Sequence, residues 1–261
     1  MKVVILAGGK GTRIAEESAY RPKPMVEIGG RPILWHIMNW YASFGYTEFI
    51  ICCGYKGQMI KQYFLDYYMK NSSIHINLKT GRMERLSGSV EPWKVTLVNT
   101  GLETLTAGRL LQVQKYMDGD TFMLTYGDGV GDIDIPELLN FHRKSGKIAT
   151  ISVTKPEGRF GAVKLDESSG LVSGFREKAR LDQSWANIGF AVFSSDVFQY
   201  LGDGSSMLEK EPYEKLASDR QMAAYLHHGF WSPMDTIRDK RYLEQMLKSG
   251  NAPWIPAANH F

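Results

Sequence analysis

The stretch KVVILAGGKGTR, Lys2 to Arg13, decides how the rest of the chain is read. Val3 to Ala7 are apolar and partly β-branched, as in a buried strand, and they run straight into Gly8-Gly9. Glycines at 8, 9 and 11 let main-chain N–H groups approach an anion with no Cβ in the way, and concave runs of such amides bind phosphate. Thr12 and Arg13 then add a hydroxyl and a guanidinium. Two familiar phosphate loops do not fit. A dinucleotide GxGxxG begun at Gly9 and Gly11 would need glycine where Ile14 stands. A Walker loop would need glycine at Val4 and Ser or Thr at Gly11. The bland alternative is a structural turn, but three glycines weaken a fold that has no other use for them.

Outward from that loop, strands and helices alternate. RPILWHIMNWYASFG carries Ile33, Ile37, Trp40 and Phe44 at helical spacing after Pro32, and Gly45 is placed to end the helix. EFIICC (48–53) reads as a strand, 57–69 as a helix, KVTLVN (94–99) as a strand, 106–117 as a helix and TFMLTYG (121–127) as a strand. After about residue 148 the runs IATISVT, GAVKLD, LVSGFRE and IGFAVF follow one another with few helices between them. Helical patterns return at 207–218 and 235–248. The expectation is an α/β, Rossmann-like chain. Its central sheet is mixed and mainly parallel, with helices on both faces and antiparallel strands added in the C-terminal half. The polar stretch 70–93 reads as an excursion or lid. One domain over 1–261 accounts for this, with 1–147 as its nucleotide-binding part and 148–261 as its sugar-phosphate-binding part.

Composition narrows the function. The 261 residues include 26 glycines, 31 basic and 28 acidic residues, so the formal charge is only +3. That balance argues against a dedicated nucleic-acid binder, and 43% hydrophobic residues exclude a disordered chain. Cys52 and Cys53 are adjacent in an apolar strand, which suits neither a disulfide framework nor a zinc site. The N-terminal apolar run is too short for a signal peptide, and no run is long enough to span a membrane. A reducing, cytoplasmic setting is expected, with no membrane partner.

Four further stretches carry chemistry. In RPKPM, Pro22 and Pro24 stiffen the chain around Lys23, which suits a second clamp on a polyphosphate, with a solvated basic loop as the plainer reading. TYGDGV places Asp128 between glycines after a strand, where a carboxylate can hold Mg²⁺ or simply form a turn. Asp134 reads as the N-cap of a helix over 135–145, and Asp235 in GFWSPMDT as another helix N-cap. NTGLETLTAGR supplies Thr104, Thr106 and Arg109, with Thr106 the expected cap of the next helix.

GGKGTR with PKPM, at the start of an α/β chain, resembles the sugar-nucleotidyltransferase family. FIICCGYKG (49–57), VEPWKVTLVNTG (90–101), TYGDGV (125–130), GRFGAV (158–163) and GFWSPMDT (229–236) are similar to its cytidylyl branch. The resemblance runs from the first residue to about Trp254. It implies transfer of a cytidylyl group from CTP to α-D-glucose 1-phosphate, with Mg²⁺ as cofactor. It also implies that Leu6, Ala7, Gly8, Gly9, Lys10, Gly11, Thr12, Arg13, Lys23, Thr104, Arg109 and Gly127 surround the nucleotide, with Arg13, Lys23 and Asp128 catalytic. Asp128 and Asp235 become the metal pair, and Gly161, Glu177, Lys178, Asn187 and Gly189 face the sugar phosphate. The branch further suggests a homo-oligomer, with a hexamer as its size, and a product used in surface-polysaccharide synthesis. Two departures stand out: Ala179 follows Lys178 where Pro is common, and Ile188 stands where the first of two glycines after the Asn is common. The alternatives are the same chemistry with UTP, dTTP or GTP and another sugar 1-phosphate, or a non-catalytic sensor on the same scaffold.

Overall fold

A computed structural model describes residues 1–88, 90–155, 162–165, 172–176 and 185–257. Seven strands form the central sheet: β1 (Val3–Ala7), β2 (Glu48–Cys53), β3 (Lys94–Asn99), β4 (Thr121–Tyr126), β5 (Ala149–Thr154), β6 (Ala186–Ser194) and β7 (Met222–Leu226). Their spatial order is β7-β5-β6-β4-β1-β2-β3. All run parallel except β6, which is antiparallel to both β4 and β5. The sheet therefore continues unbroken past residue 147, joining the two halves of the chain.

Period-two alternation explains why β1 is central. Val3, Ile5 and Ala7 enter one core while Val4 and Leu6 enter the other, so every side chain of the strand is buried. The helices are α1 (Ile33–Ser43), α2 (Gly57–Lys70), α3 (Thr106–Val113), α4 (Ile135–Ser145), α5 (Glu211–Ser218) and α6 (Ile237–Lys248). The first core packs Ile33, Ile37 and Tyr41 of α1, Ile60 of α2, Leu138 of α4 and Leu243 of α6. The second packs Ala107, Leu110 and Val113 of α3 with Tyr213 and Leu216 of α5. Helices thus cover both faces, as expected. Gly45 ends α1 with φ +84°, and its N–H donates to the Ala42 carbonyl.

Three elements differ from the sequence expectation in detail. The 106–117 helix is α-helical only to Val113 and finishes as a 3₁₀ turn, Gln114–Tyr116. Of the strand runs expected after residue 148, β5 and β6 join the central sheet, antiparallel to one another, while Ala162–Leu165 and Val172–Arg176 pair with each other. The 70–93 stretch contains a hairpin, Ser73–Asn77 with Arg82–Ser87, whose described side chains are mostly exposed. A hairpin that buries little has little apolar patterning to reveal it.

The strand order places the functional edge. Chain growth runs from β1 outward to β2 and β3, then returns to β4 on the other side of β1. A crevice opens outside the carboxyl ends of β1 and β4, the position where open α/β sheets bind ligands. The glycine loop leaves β1 there, and Gly127-Asp128 leaves β4 there.

Candidate active site

Four segments meet at this crevice. After β1 the chain passes Gly8–Gly11 into a 3₁₀ turn, Thr12–Ile14, and one helical turn, Ala15–Ser18. Gly11 takes φ +64°, which glycine adopts without a Cβ clash, and its carbonyl accepts from the Ile14 N–H. Gly9, Lys10, Thr12 and Arg13 are exposed along the loop, while Gly8 is buried beneath it. Lys10 reaches sideways, its ammonium 2.7 Å from the Glu103 carboxylate.

Arg109 of α3 holds the loop from below. Its side chain is buried, and its guanidinium donates to the Gly8 carbonyl (3.1 Å), the Thr100 hydroxyl (2.6 Å) and the carbonyls of Gly101 (2.8 Å) and Leu102 (3.3 Å). A Cβ at Gly8 would collide with that guanidinium. Arg109 therefore shapes the glycine loop and the 100–102 turn together. Burial lowers its pKa from the ordinary arginine value.

The second segment is the 3₁₀ turn Lys23–Met25, set by Pro22 in extended conformation and Pro24 inside the turn. Lys23 is 5% exposed, so it is no solvated loop residue. Gly127 clears the way for it: a Cβ there would stand 3.1 Å from the Pro24 ring and 3.3 Å from the Leu6 carbonyl. The Gly127 N–H donates to that Leu6 carbonyl at 3.1 Å, which fixes the start of the Asp128 turn against the end of β1.

The carboxylates are brought together by a two-stranded antiparallel pairing. Gly129–Gly131 pairs with Trp231–Pro233, and the Met234 N–H donates to the Asp128 carbonyl at 2.8 Å. Asp128 and Asp235, 107 positions apart in sequence, thereby flank one side chain. Lys23 Nζ lies 2.7 Å from Asp128 Oδ2 and 2.5 Å from Asp235 Oδ1, and Arg13 pairs with Asp235 Oδ2. Asp235 is 9% exposed.

Asp235 is not the helix cap that its position suggested. Thr236 caps α6, in a capping box with Asp239, and the Asp239 carboxylate also accepts from the Asp235 N–H at 3.0 Å. That arrangement leaves the Asp235 side chain free to face the crevice. Thr106 is likewise inside α3, after Leu105, and its hydroxyl bonds Glu209 and the Leu208 N–H. Asp134 caps α4 as expected, accepting from the Glu137 N–H at 2.8 Å.

Of the residues expected to face the sugar phosphate, Asn187 and Gly189 lie on β6. Asn187 is exposed, and its side-chain oxygen accepts from the Gly189 N–H at 3.0 Å. Gly189 has φ +80°, and a Cβ there would come within 2.7 Å of the Tyr126 ring. Ile188 is buried in the first core beside Phe190, so it points away from this surface and does not narrow it. Gly161, Glu177 and Lys178 lie outside the described residues, as does Ala179. A groove of about 680 Å³ lies elsewhere, lined by Asn99, Gln112 and Lys115 beside the outer edge of β3, and it holds neither carboxylate.

The sequence did not signal Asp132 and His227. The His227 ring Nε2 lies 3.2 Å from Asp132 Oδ1 and 3.0 Å from the Phe230 carbonyl, and the Asp132 N–H donates to the same carbonyl. This knot closes the base of the pairing that carries both carboxylates. Ninety-five positions separate the two residues, and only the spacing of four between Asp128 and Asp132 hinted that the second acid belongs here.

Two carboxylates converging on one cation suit Mg²⁺, which takes one or two carboxylates together with waters and substrate phosphates. The Lys23 ammonium, within 2.7 Å of both acids, shows that their oxygens face a common point.

Known proteins resemble this chain along nearly its whole length. The sequence profile of the Nucleotidyl transferase family matches residues 2–246. A glucose-1-phosphate cytidylyltransferase of Salmonella typhi is 49% identical over 97% of this chain and 98% of its own. The mannose-1-phosphate guanylyltransferase catalytic subunit beta of Dictyostelium discoideum is 28% identical over 94% of this chain and 64% of its own. The crystal structure of HddC from Yersinia pseudotuberculosis superposes with a TM-score of 0.68 over 94% of this chain and 99% of its own, at 20% identity, and so shares the fold. By the profile and the near-full-length identity together, the chain belongs to the nucleotidyl transferase family and groups with its glucose-1-phosphate cytidylyltransferases.

Proposed function

We infer that the chain transfers the cytidylyl group of CTP to α-D-glucose 1-phosphate, giving CDP-glucose and pyrophosphate, with Mg²⁺ as cofactor. The observation that carries this reading is Lys23 held between Asp128 and Asp235, with Arg13 on Asp235, at the mouth of a glycine loop. Identity of 49% to a cytidylyl enzyme against 28% to a guanylyl one supports CTP over the other nucleotides.

A phosphate oxygen of the sugar attacks the α-phosphorus of CTP. The bond from that phosphorus to the bridging oxygen breaks, and its electron pair leaves with pyrophosphate. The nucleophile is already anionic, so no general base is required. The obstacle is repulsion between two anions, and the remedy is positioning and opposite charge. Loop amides from Gly8 to Thr12 cradle the triphosphate, while Arg13 and Lys23 neutralise charge gathering on the leaving pyrophosphate. Thr104 contacts the nucleotide in this reading, and Arg109 keeps the loop in shape from below. Asn187 and Gly189, with Gly161, Glu177 and Lys178, receive the sugar phosphate, Lys178 orienting the attacking group. Asp128 and Asp235 would hold Mg²⁺, which would supply further neutralisation of phosphate oxygens.

The nucleotide and sugar-phosphate parts, 1–147 and 148–261, act as one domain built on the shared sheet. Ile76, Leu78, Met83 and Leu86 are all exposed in the Ser73–Ser87 hairpin, which supports a homo-oligomer, with a hexamer as its size in this reading. No helix among the described residues is long and apolar enough to cross a membrane. That fits the cytoplasmic reading, as do the buried free thiols of Cys52 and Cys53.

Pyrophosphate release with glucose 1-phosphate, measured across CTP, UTP, dTTP and GTP, tests the assignment. CTP should give the highest kcat/KM, and Asp128→Asn should lower it on the order of 10²-fold or more while leaving the fold intact. Release with another nucleotide instead would reassign the substrate. No release with any nucleotide would favour a non-catalytic sensor.

A further inference from the structure

We propose that Lys23 and Arg13 keep the Asp128–Asp235 pair closed to a lone divalent cation and yield it only to a cation arriving with the triphosphate. This rests on the cytidylyl-transfer reading above and adds the order in which charge enters the site.

Both oxygens of Asp235 and one of Asp128 already accept from cations of the chain. Two acids and two bases cancel locally. A lone Mg²⁺ entering there would meet two positive side chains, and no group of three acidic, histidine or cysteine ligands among the described residues could outbid them. Lys23 cannot simply withdraw to water, because it is 5% exposed and its turn is pinned by Pro22 and Pro24. A buried ammonium stripped of its partners is strongly unfavourable.

A triphosphate changes that balance. Its oxygens offer Lys23 and Arg13 new acceptors beside the glycine loop, so each cation exchanges a carboxylate for a phosphate without becoming unpaired. The freed carboxylates and the same phosphates then form the hard oxygen set that Mg²⁺ prefers. Metal and nucleotide therefore strengthen one another, and by linkage each raises the other's affinity by the same factor.

Mn²⁺ binding to the full chain, followed by electron paramagnetic resonance of the free ion, tests this without turnover. Titrations are run with and without α,β-methylene-CTP, subtracting Mn²⁺ held by the analogue in solution. Wild type should bind Mn²⁺ alone about tenfold or more weakly than with the analogue. Lys23→Met should tighten binding of Mn²⁺ alone by about tenfold or more and weaken binding of the analogue. Arg13→Gln should shift lone-metal binding the same way by less, and because its side chain is 73% exposed it carries the comparison if Lys23→Met fails to fold. Equal Mn²⁺ affinity with and without the analogue in wild type overturns the proposal. So do folded variants that bind lone Mn²⁺ no more tightly than wild type. An analogue that never binds wild type contradicts the nucleotide reading instead, and the lone-metal comparison still decides this one.

Discussion

Single residues at this site are held by contacts that leave little room. Gly8 stands over the Arg109 guanidinium, and the carbonyl between them is one of four acceptors that guanidinium serves. Gly8→Ala should destabilise the protein by about 1–3 kcal/mol through overpacking. It should also raise KM for CTP more than KM for the sugar phosphate, since the loop rather than β6 is displaced. A thermal melt and substrate titrations check both. The histidines make a pH prediction. Burial lowers the pKa of His36 and His142 below the ordinary 6.5, while the unfolded chain keeps that value. Below pH 6.5 the unfolded state then binds more protons than the folded one, so stability is full above 6.5 and falls as the solution is acidified. Urea melts between pH 7.5 and 5.5 should show the midpoint dropping, and His142→Gln should flatten that slope. A midpoint unchanged across this range would contradict the burial argument.

Elements matter because they set where those residues point. The helix α6 begins two residues after Asp235, and its capping box decides that the Asp235 side chain turns toward Lys23 instead of capping the helix. Thr236→Ala removes the hydroxyl that accepts from the Asp239 N–H, and should cost about 1 kcal/mol. Because Asp239 also accepts from the Asp235 N–H, activity should fall more than the lost stability explains, with the Mg²⁺ concentration for half-maximal rate rising. Comparing that concentration in the variant with wild type at a temperature where both are folded separates the two effects. The short pairing of Gly129–Gly131 with Trp231–Pro233 is the other deciding element. Three residues on each side are too few to stand out in a sequence, and glycine-rich segments lack the alternation that marks a strand.

At the scale of the whole molecule, the sheet order makes one crevice from four separated segments, and both cores brace it. Covered on each face, β1 cannot move its carboxyl end, so the glycine loop departs from a fixed point. The hairpin Ser73–Ser87 is the opposite case, an arm with Leu78 91% exposed and Leu86 66% exposed. Exposed apolar surface in such a position is where the proposed homo-oligomer would form its contact. Light scattering after size exclusion should give a mass several times that of one chain. Leu78→Glu with Leu86→Glu should lower it while circular dichroism stays unchanged. A monomeric wild type would remove the reason offered for this exposed arm.

The sequence by itself determined the main strands and helices and the glycine turn after β1, because strand and helix periods, glycine runs and proline turns are local physics. The pattern around Lys2–Arg13, the alternation to Tyr126 and the rigid presentation of Lys23 were all legible there. The sequence could not settle which acids share a cation or which face Ile188 takes. Nor could it distinguish Asp235 as a cap from Asp235 as a crevice residue, or Arg109 as a group reaching outward from one buried beneath the loop. Those outcomes depend on residues far apart along the chain: Lys23 with Asp235, Gly8 with Arg109, Asp132 with His227. Only the packed sheet brings such pairs within hydrogen-bond distance, and only there does burial make their charges depend on one another.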